Sequence, residues 1–159
     1  MNKMIVDCIG ALLEEKYLGK LCDLEMGDWN DGTYDSYVIN YDDTFIYYLR
    51  EEKKGIILGA INMKYIKNIE EVEKLNYKKI NSGKQYLKDY HGINIEYFLN
   101  KDVDIYLEDK HIWDGIFGVD TEIFSTCIKK IGQMQFECIA RGPIDINMVT
   151  KIECAQLYL

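Results

Sequence analysis

Proline, histidine and positive charge are scarce in this 159-residue chain. It has one proline, Pro143, two histidines, His91 and His111, and 19 Lys+Arg against 27 Asp+Glu, for a formal charge of −8. Two histidines exclude a His-rich metal motif. The shortage of base argues against nucleic acid, whose binders carry a basic patch to replace phosphate counterions. The five cysteines, Cys8, Cys22, Cys127, Cys138 and Cys154, form no Cys-x-x-Cys and lie at least eleven residues apart. That spacing fits neither a disulfide framework nor a zinc site, so buried thiols are expected. No apolar run approaches the ~20 residues of a membrane-spanning helix, and Asp7 interrupts the opening segment where a leader would be apolar. A cytoplasmic protein is the expectation. A phosphate loop and a Gly-rich dinucleotide fingerprint are also missing, and no cofactor is expected.

What is present suits a folded β-rich chain. The hydrophobic and charged fractions, 48% and 29%, are those of a globular protein, and 13 tyrosines with many isoleucines favour half-buried pleats. A chain of this length buries roughly two-thirds of its unfolded surface without needing a metal or disulfide. The acidity is uneven: residues 1–76 carry nine basic and fifteen acidic side chains, residues 77–159 ten and twelve.

Met4, Ile5, Cys8, Ile9, Leu12 and Leu13 recur at helical spacing and predict a helix over Met4–Leu18, stopped at Gly19. Alternating runs then predict strands at Lys20–Met26, Tyr34–Tyr41, Thr44–Arg50, Ile56–Met63 and Tyr65–Val72. Lys74–Gly83 reads as a connector. Ser82-Gly-Lys-Gln85 has capping-box spacing, and a helical segment is expected near Asn94–Asn100. The second set of strands reads Val103–Leu107, Ile112–Val119, Ile123–Ile131, Met134–Ala140 and Met148–Leu157.

Helix and five strands thus occur twice. Thr33–Arg50 lies over Ile112–Lys129 with Asp35 on Asp114 and Phe45 on Phe124, and Ile61–Glu70 lies over Ile144–Glu153. An internal duplication follows, with units at 1–76 and 77–159. Two curved sheets closing each other's open flanks imply a pseudo-two-fold. The fold class expected is mainly β (α+β): two strongly bent five-stranded antiparallel sheets, each led by a helix.

These blocks resemble a group of uncharacterised tandem Sm-like proteins, small five-stranded barrels of low-GC Gram-positive bacteria. The residues that carry the likeness are Asp35-Ser-Tyr-Val, Phe45-Ile-Tyr-Tyr, Gly55 and Tyr65-Ile-Lys-Asn-Ile-Glu70. In the second copy they are Asp114-Gly-Ile-Phe, Phe124-Ser-Thr-Cys, Gly132 and Met148-Val-Thr-Lys-Ile-Glu153. The resemblance implies a fold and no activity. In true Sm proteins an Asp-x-aromatic-x-Asn loop and an Arg-Gly loop bind RNA at a pore. Arg141-Gly142 is similar to the second loop, while Asp42-Asp-Thr-Phe45 and Asp120-Thr-Glu-Ile123 lack the Asn of the first.

Other candidate sites read as structure. Asp28–Gly32 misses calcium-loop spacing, because Gly falls at position 5 and Ile39 at position 12. It reads as a turn presenting Trp29. Asp109-x-His111 has no nucleophile motif beside it, and the paired acids read as solvated turns. Alternation places Tyr37, Tyr41 and Tyr47 on the face opposite Val38 and Phe45. With Trp29, Asp42 and Asp43 they form a candidate partner-binding face. The expectation is a non-catalytic module for a protein, in its specific form an immunity-type inhibitor of a basic nuclease-type toxin. RNA binding through Arg141 and Gly142, or an enzyme site assembled by the fold, are the alternatives.

Overall fold

The computed structural model describes residues 16–26, 32–52, 55–72, 87–113, 116–139 and 141–157, with backbone alone at 109–113, 116–120 and 157. The leading helix expected at Met4–Leu18, all but its last three residues, lies outside the described set, as does Trp29. Ten strands are present: β1 Leu21–Glu25, β2 Thr33–Tyr41, β3 Phe45–Glu52, β4 Gly55–Asn62, β5 Asn68–Glu71, β6 Asp102–Trp113, β7 Ile116–Ile131, β8 Gln135–Cys138, β9 Gly142–Asp145 and β10 Val149–Leu157. All pairings are antiparallel, in the order β5-β1-β2-β3-β4-β10-β6-β7-β8-β9. The protein is therefore mainly β. Helix among the described residues is confined to short turns such as Leu87–Tyr90, Met63–Tyr65, Ile95–Phe98 and Ile146–Met148, and none is long and apolar enough to cross a membrane.

Strand prediction holds better in the first half. There β1 to β4 fall where alternation places them, and β5 starts after the 3-10 turn Met63–Tyr65. In the second half the break expected near Glu108–His111 is absent. Strands β6 and β7 run on as one hairpin, with Glu108 opposite Thr121 and Trp113 opposite Ile116. Strand β9, at Gly142–Asp145, was not expected at all.

The first five strands lie in the order 5-1-2-3-4 and the last five in the order 10-6-7-8-9. Local irregularities recur with the order. Leu18 bridges Val38 in parallel, and Leu99 bridges Ile128. The next residues, Gly19 and Asn100, both take positive φ (80° and 58°), a conformation open to Gly and tolerated by Asn. Their N–H groups donate to the carbonyls of Val38 (2.7 Å) and Ile128 (2.9 Å). A bulge falls between Val38 and Asn40 in one half and between Ile128 and Lys130 in the other. The 3-10 turns Met63–Tyr65 and Ile146–Met148 are capped alike, the side chains of Asn62 and Asp145 accepting from the N–H two residues on.

These features correct one expected register. The overlay of Ile61–Glu70 on Ile144–Glu153 agrees with the paired turns. The overlay of Phe45 on Phe124 does not: the shared bulge puts Val38 on Ile128, so Phe45 corresponds to Gln135. Phe45 is buried and Phe124 only partly so. The pseudo-two-fold is corrected too. A two-fold joins a strand to its own counterpart, whereas β4 pairs along its whole length with β10, the strand in β5's place.

Two apolar clusters flank the sheet. One, built on Cys22, Leu24, Val38, Ile46, Tyr48 and Ile61, lies inside the first five strands. The larger joins Tyr37, Phe45, Tyr47, Leu49 and Leu58 to Phe98, Ile105, Ile128, Phe136 and Ile152, so the halves share a core. The seam also holds a buried polar knot. The Glu153 carboxylate accepts from the Tyr48 hydroxyl (2.6 Å), Arg50 Nη2 (3.0 Å) and the Tyr106 hydroxyl (3.0 Å), with Lys151 Nζ at 3.8 Å. Tyr48 reaches Glu153 by lying over Gly59, where an added Cβ would stand 2.1 Å from the ring.

Candidate functional site

A cleft of about 320 Å³ opens where the two halves meet at one end of the sheet. One wall is the β2–β3 turn, Asp42, Asp43 and Thr44, with Phe45 behind it. The other is the β7–β8 turn, Ile131, Gly132 and Gln133, with Phe136 and Ile146; Ile95 completes the lining. Phe45 and Phe136 stack across the seam with ring centroids 6.5 Å apart and 17° between planes, which makes the floor apolar.

Asp42 sets the shape of its wall. Oδ1 accepts from the backbone N–H groups of Thr44 and Phe45, both at 2.8 Å, closing an Asx turn. Oδ2 accepts from the hydroxyl of Tyr47. The Tyr47 ring is fully buried and stacks on Phe98 at 6.5 Å. Burial, followed by the hydrogen bond and charge of Asp42, pushes the Tyr47 hydroxyl well above its ordinary value, so it stays a proton donor. Asp43 is exposed at the mouth. Across the gap the second turn is pinned by Gly132 N–H on Gln135 O (2.8 Å) and Ile146 N–H on Met134 O (3.0 Å). The result is an apolar slot with carboxylates on one lip. It suits a side chain with an apolar stem and a cationic head.

The candidate face read from the sequence is thus partly dispersed. Asp42 and Asp43 sit on the cleft, whereas Tyr41 is partly buried against the cluster inside the first five strands. Tyr37 and Tyr47 do not form an open face: at 8% and 0% exposure they are core residues. Both faces of β2 and β3 are covered, so an outward turn in the alternation does not lead to solvent. Phe45 and Val38, expected on one side, fall in different clusters, because Val38 pairs with Tyr48 while Phe45 shares the opposite face of β3 with Tyr47, two residues on.

Arg141 lies in the β8–β9 turn and Gly142 opens β9, at the far end of those strands from the cleft. The guanidinium pairs with Glu122 and sits 4.8 Å from the centroid of Phe124. Of the two stretches read against the first Sm loop, Asp120–Ile123 runs inside β7 and meets Arg141 through the Glu122 carboxylate, and Asp42–Phe45 lies at the cleft. Among the described residues no group of three or more His, Cys, Asp or Glu is placed to hold a metal. Sequence reasoning missed the apolar wall of Ile95, Ile131, Phe136 and Ile146, as well as the Glu153 knot. The recurring Ile69-Glu70 and Ile152-Glu153 pairs were the available signal for the knot. Comparison with protein-family models, characterised proteins and solved structures finds no match for this chain.

Proposed function

We propose that the chain is a non-catalytic protein-binding module built from two Sm-like units, and that it takes a basic partner through the acid-lipped cleft. The duplication is supported by the repeated strand order, the paired bulges and the paired left-handed residues Gly19 and Asn100. The cleft carries the functional reading: an apolar floor of Phe45, Phe136 and Ile131 lies beside Asp42 and Asp43 in a protein of charge −8. A lysine or arginine from the partner would lay its stem on the floor and its head against Asp43. A basic nuclease-type toxin is one partner of this chemistry. The RNA reading gains no support from Arg141, which is held by Glu122.

The test is co-purification from the native cytosol with wild type and with Asp43→Lys. The expected result is a basic protein retained by wild type and reduced at least tenfold by Asp43→Lys. Equal recovery with the variant removes the cleft as the site, and no retained protein removes the binding reading.

A further inference from the structure

The two ends of the ten-stranded sheet are built differently. At one end, β9 presents its outer edge through Pro143 and Asp145. Ile146 N–H donates to Met134 O, so the hydrogen-bonded pairs of β8 and β9 are Phe136 with Ile144 and Cys138 with Gly142. Pro143, opposite Glu137, therefore points its backbone nitrogen outward, and that nitrogen carries no hydrogen. The strand is four residues long, and its neighbours on that face, Lys129, Gln135 and Glu137, are exposed and polar. This edge is closed by chemistry.

At the other end, β5 pairs with β1 and, among the described residues, with nothing beyond. Val72 N–H donates to Leu21 O, so Glu70 and Asn68 bond to β1, while the N–H and C=O of Ile69 and Glu71 face outward. Their counterparts on β10, Ile152 and Cys154, are the positions that bond to β4 at the seam. Beside this edge Asp23, Glu25 and Glu70 share one face through the pairs Asp23–Glu70 and Glu25–Asn68. Asp35 joins them, its N–H 2.9 Å from Asp23 Oδ1. Burial and then the Asp23 charge hold the Asp35 carboxyl above its ordinary value.

We propose that the outer edge of β5 accepts an added strand from another protein, a basic extended segment pairing antiparallel with Asn68–Glu71 beside Asp23, Glu25 and Glu70. The seam between β4 and β10 is the precedent within the molecule, and the carboxylates set the sign of the partner's charge. A second copy does not fit: its β4 is occupied by β10, its β9 is the closed edge, and its own β5 would set Asp23, Glu25 and Glu70 against the same carboxylates. The inference rests on the protein-binding reading and adds a second surface to it.

The probe is an acetylated, amidated octapeptide of alternating Lys and Val, titrated into the whole chain at low salt. Expected are binding, slowed amide exchange at Ile69 and Glu71, and a tenfold or greater loss with Ile69→Pro, which removes an outward donor and spares the bonds to β1. Glu70→Lys, an exposed change that leaves folding intact, gives a similar loss. The same peptide N-methylated throughout keeps its charge, loses its donors and binds at least tenfold more weakly. Equal binding of the N-methylated peptide, or Glu70→Lys and Ile69→Pro within twofold of wild type, overturns the proposal. Self-association of the chain on sedimentation, lost in Ile69→Pro, makes a second copy the occupant and overturns it too. Asp43→Lys leaves peptide binding unchanged, so the edge and the cleft fail or stand separately.

Discussion

The two halves share a strand plan and spend it differently. In the first, the face of β2 and β3 carrying Tyr37, Ile39, Phe45, Tyr47 and Leu49 is apolar and buried against the second half. The corresponding positions in the second half are Cys127, Lys129, Gln135, Glu137 and Ile139; all but Cys127 are exposed, and only Ile139 of those four is apolar. The same strand order therefore carries a docking face in one half and a solvated one in the other. Polarity at about five side chains decides whether a curved sheet recruits a neighbour or ends the assembly.

The sharpest way to break that comparison is at Glu153 and its counterpart Glu70. Glu153→Ala removes the carboxylate shared by Arg50, Lys151 and the Tyr48 and Tyr106 hydroxyls in the seam, while Arg50 keeps Glu52. The expected loss is about 3–5 kcal/mol in denaturant unfolding. Glu70→Ala, on the exposed edge, is expected to stay within about 0.5 kcal/mol. Equal costs would mean that the seam is not the stabilising joint.

Next come the glycines. At Gly59 an added methyl meets the Tyr48 ring at 2.1 Å, so Gly59→Ala is expected to cost about 3 kcal/mol and to weaken the Tyr48–Glu153 bond. Its counterpart Gly142 has open space around it but a φ of +72°, so Gly142→Ala is expected to cost about 1 kcal/mol, from backbone strain alone. Thermal unfolding of the two variants separates steric from conformational cost.

The smallest expected effect is pH-dependent. Burial, then Glu71 and Asp23, pushes the Cys22 thiol up to about 12, and burial raises the Tyr48 hydroxyl well above its ordinary range. Both groups keep their protons when folded and lose them more readily when unfolded. Their contribution is complete below about pH 9 and falls as pH rises through the folded values. Stability should decline from pH 9 upward, and Cys22→Ala should remove the earliest part of the decline. A flat curve from pH 8 to 11 would contradict the burial of both groups.

Legibility in the sequence followed burial. Strand β1 alternates because one face meets a core, and β3 and β4 stand out as branched and aromatic apolar runs because both faces are covered. The stretch Glu108-Asp-Lys-His111 has no apolar alternation and reads as a turn, yet backbone pairing with β7 carries the strand through it. Pattern reasoning detects burial, and hydrogen-bond ladders need none. Strand β9 is hidden by its shortness and by Pro143, which argues against a strand except at an edge, where this one lies. Asp42 and Asp43 could be named as a turn, but the opposite lip of the cleft comes from residues about 90 positions away. No local signal joins the two. Tyr37 and Tyr47 misled because alternation tells which side chains share a face and not whether a second layer covers it.

Strand β10 sits in the middle of the sheet although it is the last of the ten along the chain. During synthesis the ribosome releases the other nine strands before the piece that bridges them. Until it emerges, β4 and β6 each hold a bare row of amides and carbonyls, the kind of edge on which nascent chains snare one another. The central joint must also wait for a loop of roughly ninety residues to close, which makes it a late and slow step of folding. The two halves are held together by the last of the ten strands to be made.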